Sequence, residues 1–349
     1  MERRPTLEDV AIRAGVSRAL VSIVMRDVPG ASDRTRERVR RAADEIGYRP
    51  DPRARRLRQL RTKVIGVMFM AGQEFHADLV DGVYLAAEEK SYDVVLSAVT
   101  PHREEARAVR TLIDDRCEGF VLIGPQMPAR ELADLAARVP VVALARRARG
   151  VDAVRSDDAA GACLAMDHLV GLGHRRILYL DGERAPGAAE RRRGYRHAAR
   201  AAALAELTLP GGLTELEGAA AATAMLDWPQ LPTAVFAFND RCALGVMDVL
   251  IRSGVAVPEQ VSVVGFDDSP LAGMAHIDLT TVRQDSAGLA RAAVERLITR
   301  LDDESTGGGT VDITCEPTLI VRGSAAPPRA DLAQCVRDMT CSPNVRTKY

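Results

Sequence analysis

Thr6-Leu7-Glu8-Asp9-Val10-Ala11-Ile12-Arg13-Ala14-Gly15-Val16-Ser17-Arg18-Ala19-Leu20-Val21-Ser22-Ile23-Val24 is the stretch that decides the fold of this chain. Thr6-x-x-Asp9 ahead of an apolar periodic run is a helix-start signature, in which hydroxyl and carboxylate satisfy the first free N–H groups. Leu7, Val10, Ala11 and Ala14 then fall on one helical face. Gly15 follows where the chain must turn sharply, which a residue without Cβ does freely. Ser17 is placed to cap a second helix, Arg18 to about Arg26, that packs through Leu20, Val21 and Val24. Arg18, Ala19, Ser22 and Ile23 are left facing outward. Ser32-Asp33 starts a third helix to about Ile46, with Val39, Ala42, Ala43 and Ile46 inward and Gly47 as its stop. Three short helices around one small core make an all-α helix-turn-helix domain, expected over residues 1–50, whose second helix suits a major groove.

Charge points the same way. Residues 1–63 carry 17 of the 47 Lys and Arg and 9 of the 48 Asp and Glu, so the remainder holds 30 basic and 39 acidic residues. A basic head on an acidic body is what a segment facing a polyanion looks like, although a solvated basic face has the same count. The six cysteines lack the C-x-x-C spacing of a metal site and read as reduced thiols. No metal or cofactor is expected. No apolar run reaches the roughly 18 residues of a membrane span, and residues 1–5 carry no apolar leader, so a cytoplasmic location away from membranes is expected.

The spacing Thr6-Leu7-x-Asp9-Val10-Ala11-x-x-Ala14-Gly15-Val16-Ser17, Val21-Ser22, Ser32-x-x-Thr35-Arg36-x-Arg38-Val39 and Ile46-Gly47-Tyr48-x-Pro50 resembles the lactose-repressor (LacI/GalR) family of transcriptional regulators. By that resemblance Arg18, Ala19 and Ile23 hold positions that read base edges. Thr6, Ser17, Ser32 and Thr35 match positions that hold phosphates, and Leu7 and Ser22 complete the DNA-facing set. Ile23 departs from the pattern, because many relatives carry arginine there. It offers only apolar contact, for instance to a thymine methyl, so the operator cannot be copied from a relative.

Residues 51–63, with Asp51-Pro52-Arg53-Ala54-Arg55-Arg56-Leu57-Arg58, form a hinge whose crowded arginines make an isolated helix marginal. The resemblance implies that this hinge folds on DNA, with Ala54 and Leu57 at the minor groove and Leu57 wedged into it. A flexible charged linker is the other reading.

From Val64 short apolar strands alternate with helix-length stretches: Val64–Phe69, Asp93–Ala98, Gly119–Ile123, Val141–Ala145, Arg176–Leu180, Ala234–Ala237 and Ser262–Gly265. Such alternation implies parallel sheets with helices on both faces, split over about 260 residues into two lobes. The resemblance extends over roughly residues 5–325, through Asp157-Asp158-x-x-Gly161, His168-Leu169-x-x-Leu172-Gly173-His174, Arg191-x-x-Gly194-Tyr195, Ala237-x-Asn239-Asp240, Gly265-Phe266-Asp267-Asp268 and Thr281-Val282-Arg283-Gln284. It implies a periplasmic-binding-protein-like α/β core over 64–325 that binds an effector and dimerises. The first lobe is expected at about 64–170 and 284–311, and the second at about 171–283 and 312–325. A disordered tail is expected from 326 to 349, without the leucine heptads of a tetramerising helix, hence a homodimer.

Asn239, Asp267 and Gln284 sit at or just after strand ends, which in open α/β sheets face the ligand crevice. Arg191 reaches the same cleft from a loop-to-helix junction, and with carboxylates and an amide it can bind neighbouring hydroxyls. Asn239 and Asp157 serve either as ligand contacts or as caps of the next helix, and Gln284 as contact or hinge. His168 and His174 read as structural. Aromatics are only 4% of the chain, and Leu213 stands where sugar-binding relatives often stack an aromatic. Phe75 and His76, after the first strand, are the remaining stacking candidates. A small-molecule effector of sugar or polyol class is favoured, on a repressor that binds double-stranded operator DNA. The rival readings are a nucleoside sensor or effector-independent regulator, a transport-type binding protein and an enzyme. The last lacks a phosphate-binding glycine loop or a G-x-S-x-G nucleophile.

Overall fold

The computed structural model describes residues 5–25, 27–49, 61–303 and 309–329, in two compact units, one up to Thr62 and one from Lys63. The first unit holds α1 (Leu7–Ala14), α2 (Arg18–Met25) and α3 (Asp33–Glu45). Thr6 caps α1 in a reciprocal box with Asp9, and Gly15 ends it in the left-handed region at φ 64°. Val10, Ala11, Ala14, Val21, Val24, Val39, Ala42 and Ala43 close the core, with Tyr48 sealing its end. So small a core depends on its caps. Thr6→Ala is expected to cost this unit about 1 kcal/mol, read as an earlier loss of its helical signal on urea titration. An unchanged midpoint would show that the box contributes nothing.

The second unit contains two six-stranded sheets. Its elements in chain order are β1 (Val64–Met70), α4 (Glu74–Glu89), β2 (Asp93–Val99), α5 (Glu105–Asp114), β3 (Gly119–Ile123), α6 (Ala129–Ala136), β4 (Val141–Leu144) and β5 (Asp152–Ser156). Then come α7 (Asp158–Gly171), β6 (Ile177–Asp181), α8 (Ala188–Ala201), β7 (Leu207–Pro210), α9 (Glu215–Leu226), β8 (Ala234–Phe236) and α10 (Asp240–Arg252). Last are β9 (Ser262–Asp267), β10 (Thr280–Arg283), α11 (Ser286–Asp302), β11 (Asp312–Cys315) and β12 (Thr318–Ile320). The first sheet runs β11-β5-β4-β3-β1-β2 and the second β12-β10-β9-β8-β6-β7. All pairings are parallel except β10 with β12. Parallel strands are covered on both faces, and β3 and β4 are accordingly buried throughout.

The lobe boundaries differ from the sequence expectation in two places, and the expected tail in a third. Residues 158–170 were expected in the first lobe, yet α7 packs in the second, against α8, β8, β10 and β12. Small residues decide this: a Cβ on Gly194 would lie 2.2 Å from the Ala159 carbonyl oxygen, and one on Gly161 2.8 Å from the Phe266 ring. Residues 312–315, expected in the second lobe, form β11 beside β5 in the first, so the crossing falls at Glu316-Pro317. Nor is chain from 326 onward uniformly loose. The Ala326 carbonyl accepts from the Ser262 hydroxyl at 3.0 Å, and its N–H donates back at 3.0 Å. His174, expected to be structural, bridges Thr233 Oγ1 and the Ala326 carbonyl at 2.9 and 3.0 Å. Ala54, Leu57 and the rest of the hinge through 60, together with the tail from 330, lie outside the described residues.

Candidate ligand cleft and DNA-facing helix

In each sheet the strand order reverses beside the first strand of the lobe, at β1/β3 and at β6/β8, and the crevice opens beyond the C-terminal strand ends there. The residues lining the cleft follow from that geometry. Met70, Phe75 and His76 come from the β1 end, Ala145 from β4, Asp158 from β5, Arg191 from the segment after β6, Phe238 and Asn239 from β8, Asp267 from β9 and Gln284 from β10. They surround about 560 Å³ of empty space, the open mouth included.

Arg191 is the hub. Its Nε donates to Asp158 Oδ1 at 2.8 Å and its Nη1 to the Phe238 carbonyl at 2.6 Å, while Nη2 stands 3.6 Å from Asp267 Oδ1. The guanidinium also lies over the Phe266 and Phe238 rings, 3.6 and 4.5 Å from their centroids. Gln284 Nε2 donates to the same Asp267 oxygen at 2.8 Å, from the segment where the chain crosses between lobes. Asp267 itself has φ 110°, a positive-φ conformation that costs a non-glycine residue strain.

Six of the seven effector residues named from sequence line this cleft: Phe75, His76, Arg191, Asn239, Asp267 and Gln284. Asp157 does not. Its Oδ1 turns back to accept the Ala160 N–H at 3.0 Å, capping α7, and the adjacent Asp158 enters the cleft instead. An N-cap side chain folds over its own first turn, so its neighbour occupies the other face. Asn239 is also a cap, accepting from Cys242 N at 2.8 Å and donating to the Leu213 carbonyl at 3.1 Å. Phe238, one residue before it, is the aromatic that sequence reading passed over. Its ring lies against Gly182, where a Cβ would stand 2.5 Å away.

Burial sets the protonation states. His76 Nδ1 accepts the Met70 N–H at 3.1 Å, which leaves the proton on Nε2, and burial lowers its pKa to about 4. Asp240 accepts from Ser269 N at 2.6 Å and Thr281 Oγ1 at 2.5 Å, yet burial and then the charge of Asp267 push it up to about 7. Burial raises Asp267 to about 6 against the pull of Arg191. A carboxyl raised in the folded state takes up a proton on folding. Asp240 therefore contributes less to stability as pH rises from about 4 to 7, in total on the order of 4 kcal/mol. His76 runs oppositely between about 4 and 6.5, gaining with pH. Asp240→Asn is expected to gain stability relative to wild type steadily from pH 5 to 7 in urea unfolding. Parallel pH profiles would overturn the assignment.

In the N-terminal unit, Arg18 and Ala19 are exposed on α2, and Ser22 and Ile23 are half-buried, Ile23 beside Gly30 of the next loop. The four hydroxyl residues expected at phosphates stand at helix starts: Thr6 Oγ1 donates to Asp9 at 2.7 Å, Ser17 Oγ accepts from Leu20 N at 3.2 Å, and Ser32 and Thr35 share a 2.9 Å bond. Helix N-termini present free N–H groups, the geometry that suits phosphate oxygens. Leu7 is half-buried and packs on the core behind them.

Residues 6–51 match the family described as bacterial regulatory proteins, lacI family, and residues 166–325 match the periplasmic binding protein-like domain. The HTH-type transcriptional regulator GalS of Salmonella typhimurium is 34% identical over 334 residues, 92% of this chain and 96% of its own length. The lac repressor dimer bound to operator and the anti-inducer ONPF superposes with a TM-score of 0.79 at 27% identity, over 93% of this chain and all of that one. The complex of the transcriptional regulator CelR with cellobiose gives 0.68 at 33% identity, over 92% of this chain and all of that one. No helix among the described residues is long and apolar enough to cross a membrane.

Proposed function

Because the chain belongs to the lacI family of bacterial regulatory proteins, we propose that it is a homodimeric repressor whose operator affinity is set by a small molecule held at Arg191. Arg18, Ala19 and Ile23 read bases in the major groove, the helix-start hydroxyls hold phosphates, and residues 51–63 couple the units. The effector is a sugar or polyol. The observation that carries this reading is the ring of donors and acceptors at the switch points of both sheets, facing one space between the lobes. Aromatic Phe75 and Phe238 flank polar groups there, as a polyhydroxylated ligand requires. The structure of CelR with cellobiose supports the same class.

Binding would draw the lobes together across the crossings at 156–158, 283–286 and 315–318. Such a shift changes the geometry offered to the hinges, and the coupling is reciprocal: operator must alter effector affinity by the factor the effector alters operator affinity. Mobility shift on the gene's own upstream DNA, with and without a panel of sugars and polyols, tests the proposal. Salt-sensitive, sequence-selective binding that one panel member changes is expected. Absence of any sequence preference would overturn it.

A further inference from the structure

At one rim of the cleft a single side chain joins the two lobes. Arg241, in the first turn of α10 in the second lobe, donates from Nη1 to the Gly72 carbonyl, in the turn between β1 and α4 of the first. Glu215 holds the Nε and Nη2 of the same guanidinium at 2.8 and 2.6 Å. Glu215 opens α9, whose start is fixed by a reciprocal capping box between Thr214 and Glu217. The two helices are pressed so close that a Cβ on Gly245 of α10 would stand 1.9 Å from the Glu215 carbonyl oxygen. Arginine and glutamate are thus fixed within the second lobe, and the bond to Gly72 is what they extend to the other.

Two features set this arginine apart from an ordinary surface ion pair. A cation in the first turn of a helix opposes the positive end of the helix dipole, so α10 gains nothing from it locally. Glu215, by contrast, starts its helix where an anion is favoured. The second feature is what lies opposite. Behind the contact, Glu74 and Asp78 of the first lobe face Asp240 and Asp267 of the second, and Arg241 is the one cation among the described residues lining that space. Burial and then the charge of Asp78 raise Glu74, Arg241 opposes the rise, and Glu215 adds to it. Walls of like charge repel as they approach, and a guanidinium between them offsets that repulsion. Arg241 does not itself line the chamber around Arg191.

We propose, on the basis of the sensor reading above, that Arg241 is a positioning residue: a clasp that sets the balance between open and closed cleft without touching the effector. Its bond to Gly72 exists only when the lobes meet, because its two ends belong to different lobes. On opening, the Gly72 carbonyl and one N–H return to water while Glu215 keeps its partner. Opening therefore gives up one charged hydrogen bond and not an ion pair, which keeps the closed form reversible. A ligand shifts a two-state equilibrium only by its differential affinity for the two states. A clasp that moves the starting balance therefore moves the effector concentration at which operator affinity changes.

The test reads lobe separation in the full chain with no ligand added. Spin labels are carried on azide-bearing amino acids at Arg130 and Arg193, exposed positions on the first and second lobes, and their distance is measured by double electron–electron resonance. In Arg241→Ala the closed-to-open ratio is expected to fall about tenfold, the scale of one charged hydrogen bond. Adding Glu74→Gln to that variant should restore part of the ratio, because an acid facing the unpaired Glu215 is gone. A merely structural role of Arg241 within its own lobe would not respond to a change in the other. If Arg241→Ala does not fold, Arg241→Gln takes its place with the same expectations. Equal distance distributions in wild type and variant, or a double variant no more closed than the single, overturn the clasp. Operator mobility shift on the same proteins separates this from the sensor reading. A closed fraction that falls while operator affinity stays the same supports the clasp and sinks instead the coupling of cleft to DNA.

Discussion

Arg191→Ala is expected to abolish the proposed effector response and to destabilise the core by about 3–5 kcal/mol. Truncating one partner of a buried ion pair leaves the other as an uncompensated charge, and the penalty is that of the stranded group. Here two groups are stranded. Asp158 loses its 2.8 Å partner and Asp267 its 3.6 Å neighbour, with Arg191 itself 5% exposed. The Phe238 carbonyl loses a donor and the Phe266 ring the cation stacked upon it. Urea unfolding should show the loss at neutral pH and its partial recovery under acid. Both carboxyls are already raised by burial with Arg191 present, so without it protonation is the remaining way to neutralise them. Stability of the variant must therefore rise as pH falls toward 5, more steeply than in wild type. Pairing the change with Asp158→Asn should restore part of the loss, which cavity formation alone would not do. A variant with the wild-type urea midpoint and an intact ligand response would contradict the central role given to this arginine.

The fold was legible wherever a local rule coincided with the global one. Thr6, Gly15, Ser17 and Ser32 are caps and stops that act within a few residues, and the three helices lie where those residues place them. The strands found from sequence are the apolar ones in the sheet interiors and beside them. Those passed over are short: Asp152–Ser156, Leu207–Pro210, Thr280–Arg283, Asp312–Cys315 and Thr318–Ile320. Three of them, β7, β11 and β12, are sheet edges, where half-exposed pairing needs no continuous apolar run. The misplaced lobe boundary has a different origin. Which sheet α7 covers depends on contacts such as Gly194 against Ala159, 35 residues apart in sequence, and no local pattern encodes them.

The site was legible through topology more than chemistry. Positions after strand ends found Asn239, Asp267 and Gln284, because the crevice of an open α/β sheet lies there whatever the ligand. The choice between Asp157 and Asp158 turned on one residue of helix-start register. Phe238 was hidden by searching for an aromatic at Leu213, although it directly precedes Asn239. The clasp was invisible for another reason. Arg241 looks like an ordinary solvated charge at the start of a helix, and only the facing lobe supplies the Gly72 carbonyl.

Deleting residues 1–62 is expected to remove all sequence-selective DNA binding while leaving a folded, ligand-responsive core. The two units have separate interiors: the first packs around Val10, Val21 and Val39, the second around clusters centred on Val67, Val235, Phe236 and Leu122. Among the described residues, no member of one interior belongs to the other. A specific site is typically 10³–10⁷-fold tighter than random DNA, and that whole ratio should vanish with the reading helix. Residual non-specific affinity should vanish too, since residues 64–349 carry 30 basic against 39 acidic side chains and repel a polyanion. Within the intact chain, Arg18→Ala should lose roughly 1–3 kcal/mol on its cognate operator and relax the preference at a single base pair. A helix that merely lies against phosphates would instead lose affinity evenly across sequences and shallow the salt dependence. Operator binding retained by the truncated core would place the reader elsewhere in the molecule and undo the link between cleft and DNA.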